Sequence, residues 1–388
     1  MRKVALFTGT RADYGLLKGL MAAIQDDDTL DLQVIAAAGH FVAHLGETWR
    51  EITGDGFEIA ARVEMPDDTN TPAGVARSMG RGVLAMTDAL EHLTPDVLVI
   101  LGDRAEALVA AQVAMVLGIP IAHIHGGEIT EGAIDDAIRH AITKMAHLHF
   151  VAAEAYGDRV IQMGTPRDRV FVVGAPGLDS VLARKNAPLQ GGTDRFGFEL
   201  KAPYILATYH PATAANEDPI ATVQAMLDAL DSLPDHQIVL TFANADHGGH
   251  KINEMVEFFA AARPGRVLAV PSLGFELYGA VLSQATAVVG NSSSGIIEAP
   301  AFGVPTLNIG TRQSGRLMAK SIRTVAATKN GITDGLGWAL SKVGQDQSAG
   351  ARSLYGQGQA APKILDILKS APLTGGLPFC DIDLQVHP

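Results

Sequence analysis

Two groups of residues in this chain have the types and spacing needed for chemistry. The first follows two short apolar runs. Residues 96–101 (DVLVIL) lead into Gly102-Asp103-Arg104, and residues 121–124 lead into His125-Gly126-Gly127-Glu128. A helical stretch then opens with Asp135-Asp136 and carries Arg139 and His140. An aspartate at a strand end can simply cap the helix that follows. Capping accounts less well for Asp103, His125, Glu128 and one of Asp135 or Asp136 arriving together at one sheet edge. Carboxylates that share a cleft split their pKa values, which yields a general acid and a general base.

The second group has phosphate chemistry. In Gly290-Asn291-Ser292-Ser293-Ser294-Gly295, backbone N–H groups at a helix start and three hydroxyls suit a diphosphate, and Glu298 one turn later could accept a ribose diol. The plain alternative is a capped helix whose Glu298 only pairs with the dipole. Residues 310–316 (GTRQSGR) form a second loop, with Arg312 and Arg316 suited to phosphate oxygens. His210 and the loop at 244–251 (NADHGGHK), with Asn244 and Asp246, also end strands, and His210 is expected to face the carboxylates of the first group. Arg11, in the turn at 9–14 (GTRADY), is either a cation facing a ligand or the partner of Asp13 at a helix start. That turn lacks the GxGxxG pattern, so no nicotinamide site is expected there.

These residues sit between elements that alternate along the whole chain. Continuous apolar runs at 3–8, 32–37, 96–101, 120–124, 149–152 and 170–173 alternate with helical stretches, including 14–24, 105–117 and 134–145. The pattern restarts with strands at 204–208, 237–242, 267–270, 287–289 and 306–308, and with helices from about 219, 251, 276, 295 and 313. Apolar strands of this kind are parallel and covered on both faces. The expected architecture is α/β, with two doubly wound domains facing a cleft, linked through residues 174–177 and 186–197. Ligands bind beyond the carboxyl ends of strands in such sheets.

The balance of 30 basic against 42 acidic residues gives a net charge of −12, which argues against a nucleic-acid or anionic-membrane binder. With aromatics at only 5%, a base-stacking platform is also disfavoured. No run of eighteen apolar residues exists, and the opening MRKVALFTG is too short for a secretory signal, so a cytoplasmic protein is expected. The single cysteine, Cys380, excludes an internal disulfide and a cysteine-based metal cluster.

The segments TGTRADY (8–14), GDR (102–104), HIHGGE (123–128), IDDAIRHAITK (134–144), GNSSSGIIE (290–298) and GTRQSGR (310–316) occur in that order. In this the chain strongly resembles the hydrolysing UDP-N-acetylglucosamine 2-epimerases of bacterial sialic-acid and legionaminic-acid synthesis, over nearly its whole length. The resemblance implies a GT-B fold of two Rossmann-type domains, with about 361–370 packing back on the first. The domains are then 1–177 with 361–388, bearing the acid–base residues, and 178–360, binding the nucleotide. It implies anti elimination of the nucleoside diphosphate to a glycal, then addition of water to release the free 2-epimeric sugar. No hydride acceptor and no obligatory metal are needed.

The same resemblance makes Asp103 and Asp135 catalytic carboxylates and His210 a cleft histidine. Arg11 and Arg104 become sugar- or phosphate-side cations, and Ser292, Ser293, Glu298 and Arg312 nucleotide contacts. It also suggests a homodimer or homotetramer. Two positions depart from the family pattern. Some members carry a glutamate before the GG pair, where this chain has His125, so Glu128 or His125 itself must supply that group. His250 stands where Arg or Lys is common. A non-hydrolysing epimerase, a GT-B glycosyltransferase and a sugar-nucleotide sensor are the alternatives, separated by whether free nucleoside diphosphate and free sugar appear without an acceptor.

Overall fold

The computed structural model describes residues 1–43, 46–65, 71–130, 134–185, 187, 189, 193–211, 218–243, 249–373, 376 and 378–381. The chain forms two compact units. One runs from Met1 to Ile129, continues to Gly177 and takes the chain back from Gly358; the other holds Leu178–Gln357.

In the first unit the order is β1 (Arg2–Thr8), α1 (Arg11–Gln25), β2 (Leu30–Ala37), α2 (Trp49–Gly54), β3 (Ile59–Val63), α3 (Pro72–Leu93), β4 (Val97–Leu101), α4 (Ala105–Val116), β5 (Ile121–Ile124), α5 (Ile134–Met145), β6 (Leu148–Val151), α6 (Glu154–Gln162) and β7 (Val170–Val172). The strands form a seven-stranded parallel sheet in the order β3-β2-β1-β4-β5-β6-β7. The order reverses between β1 and β4, which opens a crevice beyond their carboxyl ends. The central strands are apolar on both faces because both faces are covered. Leu6, Val99 and Ile124 pack with Leu17, Met21 and Ile364 on one side. Leu98 and Ile100 pack with Met86, Ala110 and Ile142 on the other.

The second unit contains α7 (Gly177–Leu182), β8 (Tyr204–Thr208), α8 (Pro219–Asp231), β9 (Gln237–Thr241), α9 (Gly249–Ala261), β10 (Val267–Val270), α10 (Gly274–Gln284), β11 (Ala287–Gly290), α11 (Ser293–Ile297), α12 (Ala299–Phe302), β12 (Thr306–Ile309), β13 (Ile322–Val325), α13 (Lys329–Leu340) and α14 (Lys342–Ala349). Its sheet is parallel with order β10-β9-β8-β11-β12-β13, so the reversal lies between β8 and β11. Finally α15 (Ala360–Ser370) packs on α1. Its Ile364 and Leu368 are fully buried, the Leu368 carbonyl accepts from Arg2, and Lys369 pairs with Asp27 at 2.6 Å.

The helix expected from about residue 313 does not form. Residues 312–315 are turns bounded by Gly310 and Gly315 at φ 72° and 84°, left-handed backbone that a helix cannot contain. The edge strands β3 and β13, half exposed along their length, show no continuous apolar run and were not predicted from the sequence. Among the described residues, no helix is long and apolar enough to cross a membrane.

Candidate active site

The turns after β1 and β4 meet at the reversal point of the first sheet. Thr10 caps α1 by accepting from the Asp13 N–H at 3.3 Å. Glu106, buried in the first turn of α4, receives Arg104 Nε at 2.7 Å and packs against Gly9. Asp13 lies close to both, and its burial, aided by Glu106 and opposed by Arg104, pushes its carboxyl up to about 6. Glu106 foremost, with Asp13 and Asp135 behind it, raises the Arg104 guanidinium further above its ordinary value. Arg11 does not pair with Asp13, because at the exposed start of α1 it reaches Glu51 instead, at 3.3 Å.

Asp103 follows Gly102, and its carboxylate is ion-paired to Arg139, a buried residue of α5. Arg139 also lies 3.8 Å from Asp136, one turn earlier on the same helix. The fully buried His123 fixes this turn from below. Its Nε2 lies 2.7 Å from the Gly102 carbonyl, and burial lowers its pKa to about 4, so the neutral ring donates there. Thr143 of α5 stands 3.2 Å from the other ring nitrogen.

His125 leaves β5 in left-handed backbone, φ 65°, with Nδ1 2.5 Å from Oε1 of the buried Glu128. Gly127 permits this loop: a Cβ there would lie 2.3 Å from the Tyr156 carbonyl of α6. Asp135 is half-buried at the start of α5. Asp103, His125, Glu128 and Asp135 thus belong to the ends of two adjacent strands and the helix that follows them. Two of these acids have specific partners in the structure.

In the second unit β8 and β11 approach so closely that a Cβ at Gly290 (φ 130°) would lie 1.9 Å from the Thr208 carbonyl. The loops beyond them are clasped by Asn291, whose amide accepts from the His210 N–H at 2.7 Å and donates to its carbonyl at 2.8 Å. The Asn291 carbonyl in turn receives Arg312 at 3.0 Å and the buried Gln313 at 2.8 Å. Asn291 therefore sets loop geometry, with both ends of its side chain engaged. Burial, with Arg312 nearby, lowers His210 to about 4.

Ser292 caps α11, which is only five residues long, and Ser293 begins it. Ser294 joins Tyr278, 2.5 Å away, to Glu298 by hydrogen bonds, and burial raises the pKa of Glu298. His250, on α9, is highly exposed and pairs with Glu254 at 3.3 Å. Asn244 and Asp246 lie outside the described residues. Among the described residues, no group of three or more His, Cys, Asp or Glu could hold a metal ion. The pairing of Arg139 with Asp103 joins α5 to the end of β4, whereas the three-residue spacing from Asp136 marks only the helix face those two share. Gln313 and Tyr278 carried no sequence signal.

Residues 22–369 match the family described as UDP-N-acetylglucosamine 2-epimerase. The chain belongs to this family. It is 34% identical to a UDP-N,N'-diacetylbacillosamine 2-epimerase (hydrolyzing) of Legionella pneumophila, over 96% of this chain and 97% of the relative. It is 38% identical to a GDP/UDP-N,N'-diacetylbacillosamine 2-epimerase (hydrolyzing) of Campylobacter jejuni, over 83% of each. These relatives make it an epimerase-family enzyme of the hydrolysing kind. In fold it matches the UDP-GlcNAc 2-epimerase of Neisseria meningitidis in complex with UDP-GlcNAc, with TM-score 0.73, 16% identity and coverage of 95% and 99%. The family fold, GT-B-like, rests on two parallel α/β sheets of the kind described above.

Proposed function

We propose that this family member converts a nucleoside-diphosphate 2-acetamido sugar and water into the free 2-epimeric sugar and the nucleoside diphosphate. The substrates are a UDP- or GDP-linked 2,4-diacetamido sugar or UDP-N-acetylglucosamine, and the diacetamido sugars are favoured by the two relatives' names. The observation that carries this reading is the set of proton-transfer groups beyond β4 and β5. Asp103 is held by Arg139, His125 is paired with Glu128, and Asp135 opens the next helix.

In the first step one of these groups takes the C2 proton while the C1–O bond breaks. Its electron pair leaves on the nucleoside diphosphate, and a C1=C2 glycal remains. Water oxygen then bonds to C1 as one of its protons passes to a basic group of the set, and a second group delivers a proton to C2 on the opposite face. Both steps transfer protons, so groups that hold and release them near neutrality are required. His125 takes the place of the family glutamate, with Glu128 orienting its ring.

The second unit supplies the nucleotide contacts. Ser292, Ser293 and Arg312 serve the diphosphate, and Glu298, steadied by Ser294, accepts the ribose hydroxyls. Asn291 holds the loop, and His210 contributes a neutral imidazole beside Arg312. Arg11 and Arg104 supply positive charge toward the sugar and phosphate. A cytoplasmic homo-oligomer fits a chain with one cysteine and a nucleotide-sugar substrate.

The test is incubation with UDP-N-acetylglucosamine and with UDP- and GDP-linked diacetamido sugars, without acceptor. Free 2-epimeric sugar together with nucleoside diphosphate from at least one of them is expected. Intact 2-epimerised nucleotide sugar, or no turnover of any of them, would contradict the proposal.

A further inference from the structure

Helix α10 touches α11 at a hydroxyl. The Tyr278 ring of α10 packs against the core of the second unit, on the cluster that holds Val281, Leu282 and Ala299. That packing fixes where its hydroxyl stands, 2.5 Å from Ser294 Oγ on α11. Ser294 in turn donates to Oε2 of Glu298, the residue that caps the end of α11.

Donor accounting fixes the direction of this chain. Ser294 carries one hydroxyl proton and a carboxylate only accepts, so that proton goes to Glu298. Tyr278 must then donate to Ser294. Burial foremost, and then the Glu298 charge, raise the pKa of the phenol, so the donor keeps its proton. A hydroxyl that accepts a hydrogen bond while it donates another is polarised, and the bond it gives is strengthened. The Ser294 bond also opposes the burial that favours the uncharged carboxyl of Glu298.

The chain engages Oε2 of Glu298. Among the described residues Oε1 has no hydrogen-bond partner, and Glu298 is only half-buried. A carboxylate anchored by one oxygen keeps the other, and a spare lone pair on the first, for the hydroxyls of a ligand. An unanchored one would lose rotamer freedom as the ligand binds.

We infer that Tyr278 is a positioning residue for ribose recognition: acting through Ser294, it sets the Glu298 carboxylate for the diol of a bound ribonucleotide. This rests on the proposed contact of Glu298 with the ribose hydroxyls. It adds that selectivity for a ribose over a sugar lacking both hydroxyls depends on a phenol of another helix.

The test is calorimetry of the full chain with UDP, GDP and their dideoxyribose counterparts, which lack both ribose hydroxyls. The wild type is expected to bind UDP or GDP about 10-fold or more tighter than the matching dideoxy form. Tyr278→Phe should reduce that ratio to about threefold or less and leave dideoxy binding unchanged. General damage to the second unit would instead weaken both ligands together, and that result would contradict a positioning role. Ser294→Ala should reduce the ratio as well, and Tyr278→Phe added to it should change nothing further. Additive losses would overturn the route through Ser294. A Tyr278→Phe protein that keeps the wild-type ratio, while Glu298→Ala loses it, would overturn the inference and leave the ribose contact standing. A wild type that binds ribose and dideoxyribose forms alike, or binds neither, would overturn both.

Discussion

At His125 the backbone enters the left-handed region, a conformation that costs a side-chain-bearing residue on the order of 1–3 kcal/mol and that clusters at functional sites. The buried Glu128 explains why it is held there, since the imidazole meets its carboxylate at 2.5 Å. Motif position in the sequence already pointed to His125, Glu128, Asp103 and Asp135. Their partners were not legible, because Arg139 and His123 come from neighbouring elements that only the folded sheet brings under Asp103. Asp103→Asn is expected to lower turnover about 100-fold or more while nucleotide binding persists. A near-wild-type rate would remove Asp103 from the proton transfers. Glu298→Ala should weaken nucleotide binding about 10-fold or more by calorimetry, with a smaller effect on the rate of the bound substrate. An unchanged dissociation constant would take Glu298 out of the site.

Between elements, β11 leaves no room for a side chain beside β8 at Gly290. Gly290→Ala forces a Cβ toward the Thr208 carbonyl at a φ that alanine avoids. It should destabilise the second unit by about 3 kcal/mol or more, read as a lower urea midpoint. A change within about 0.5 kcal/mol, the usual range for a surface substitution, would show that the strands can part there. The central strands and the helices after them were legible because they are buried on both faces and read as unbroken apolar runs. The edge strands β3 and β13 were not, since half their residues face outward. The segment from residue 313 reads locally as helix, but its side chains turn back to the Asn291 carbonyl, a long-range bond that no local pattern encodes.

Across the whole molecule, stability should depend on acid through buried histidines. In the first unit His40, His123 and His149 are almost fully buried, and burial lowers them from 6.5 to about 4, 4 and 3. A lowered folded value means that the unfolded chain binds more protons, so their contribution is present above pH 6.5 and is lost as pH falls toward 4. Each can contribute up to about 1.4 kcal/mol per pH unit in that window. Asp13, raised to about 6, works in the opposite sense: its contribution is present at low pH and is lost as pH rises through 6. Three groups against one predict a urea midpoint for the first unit that is lower at pH 5 than at pH 7. Equal midpoints would contradict this balance. Elimination at C2 by the groups beyond β4 and β5 is tested by proton NMR of turnover in deuterated water. Free 2-epimeric sugar carrying deuterium at C2 is expected alongside nucleoside diphosphate, and product that retains its C2 proton would rule the elimination out.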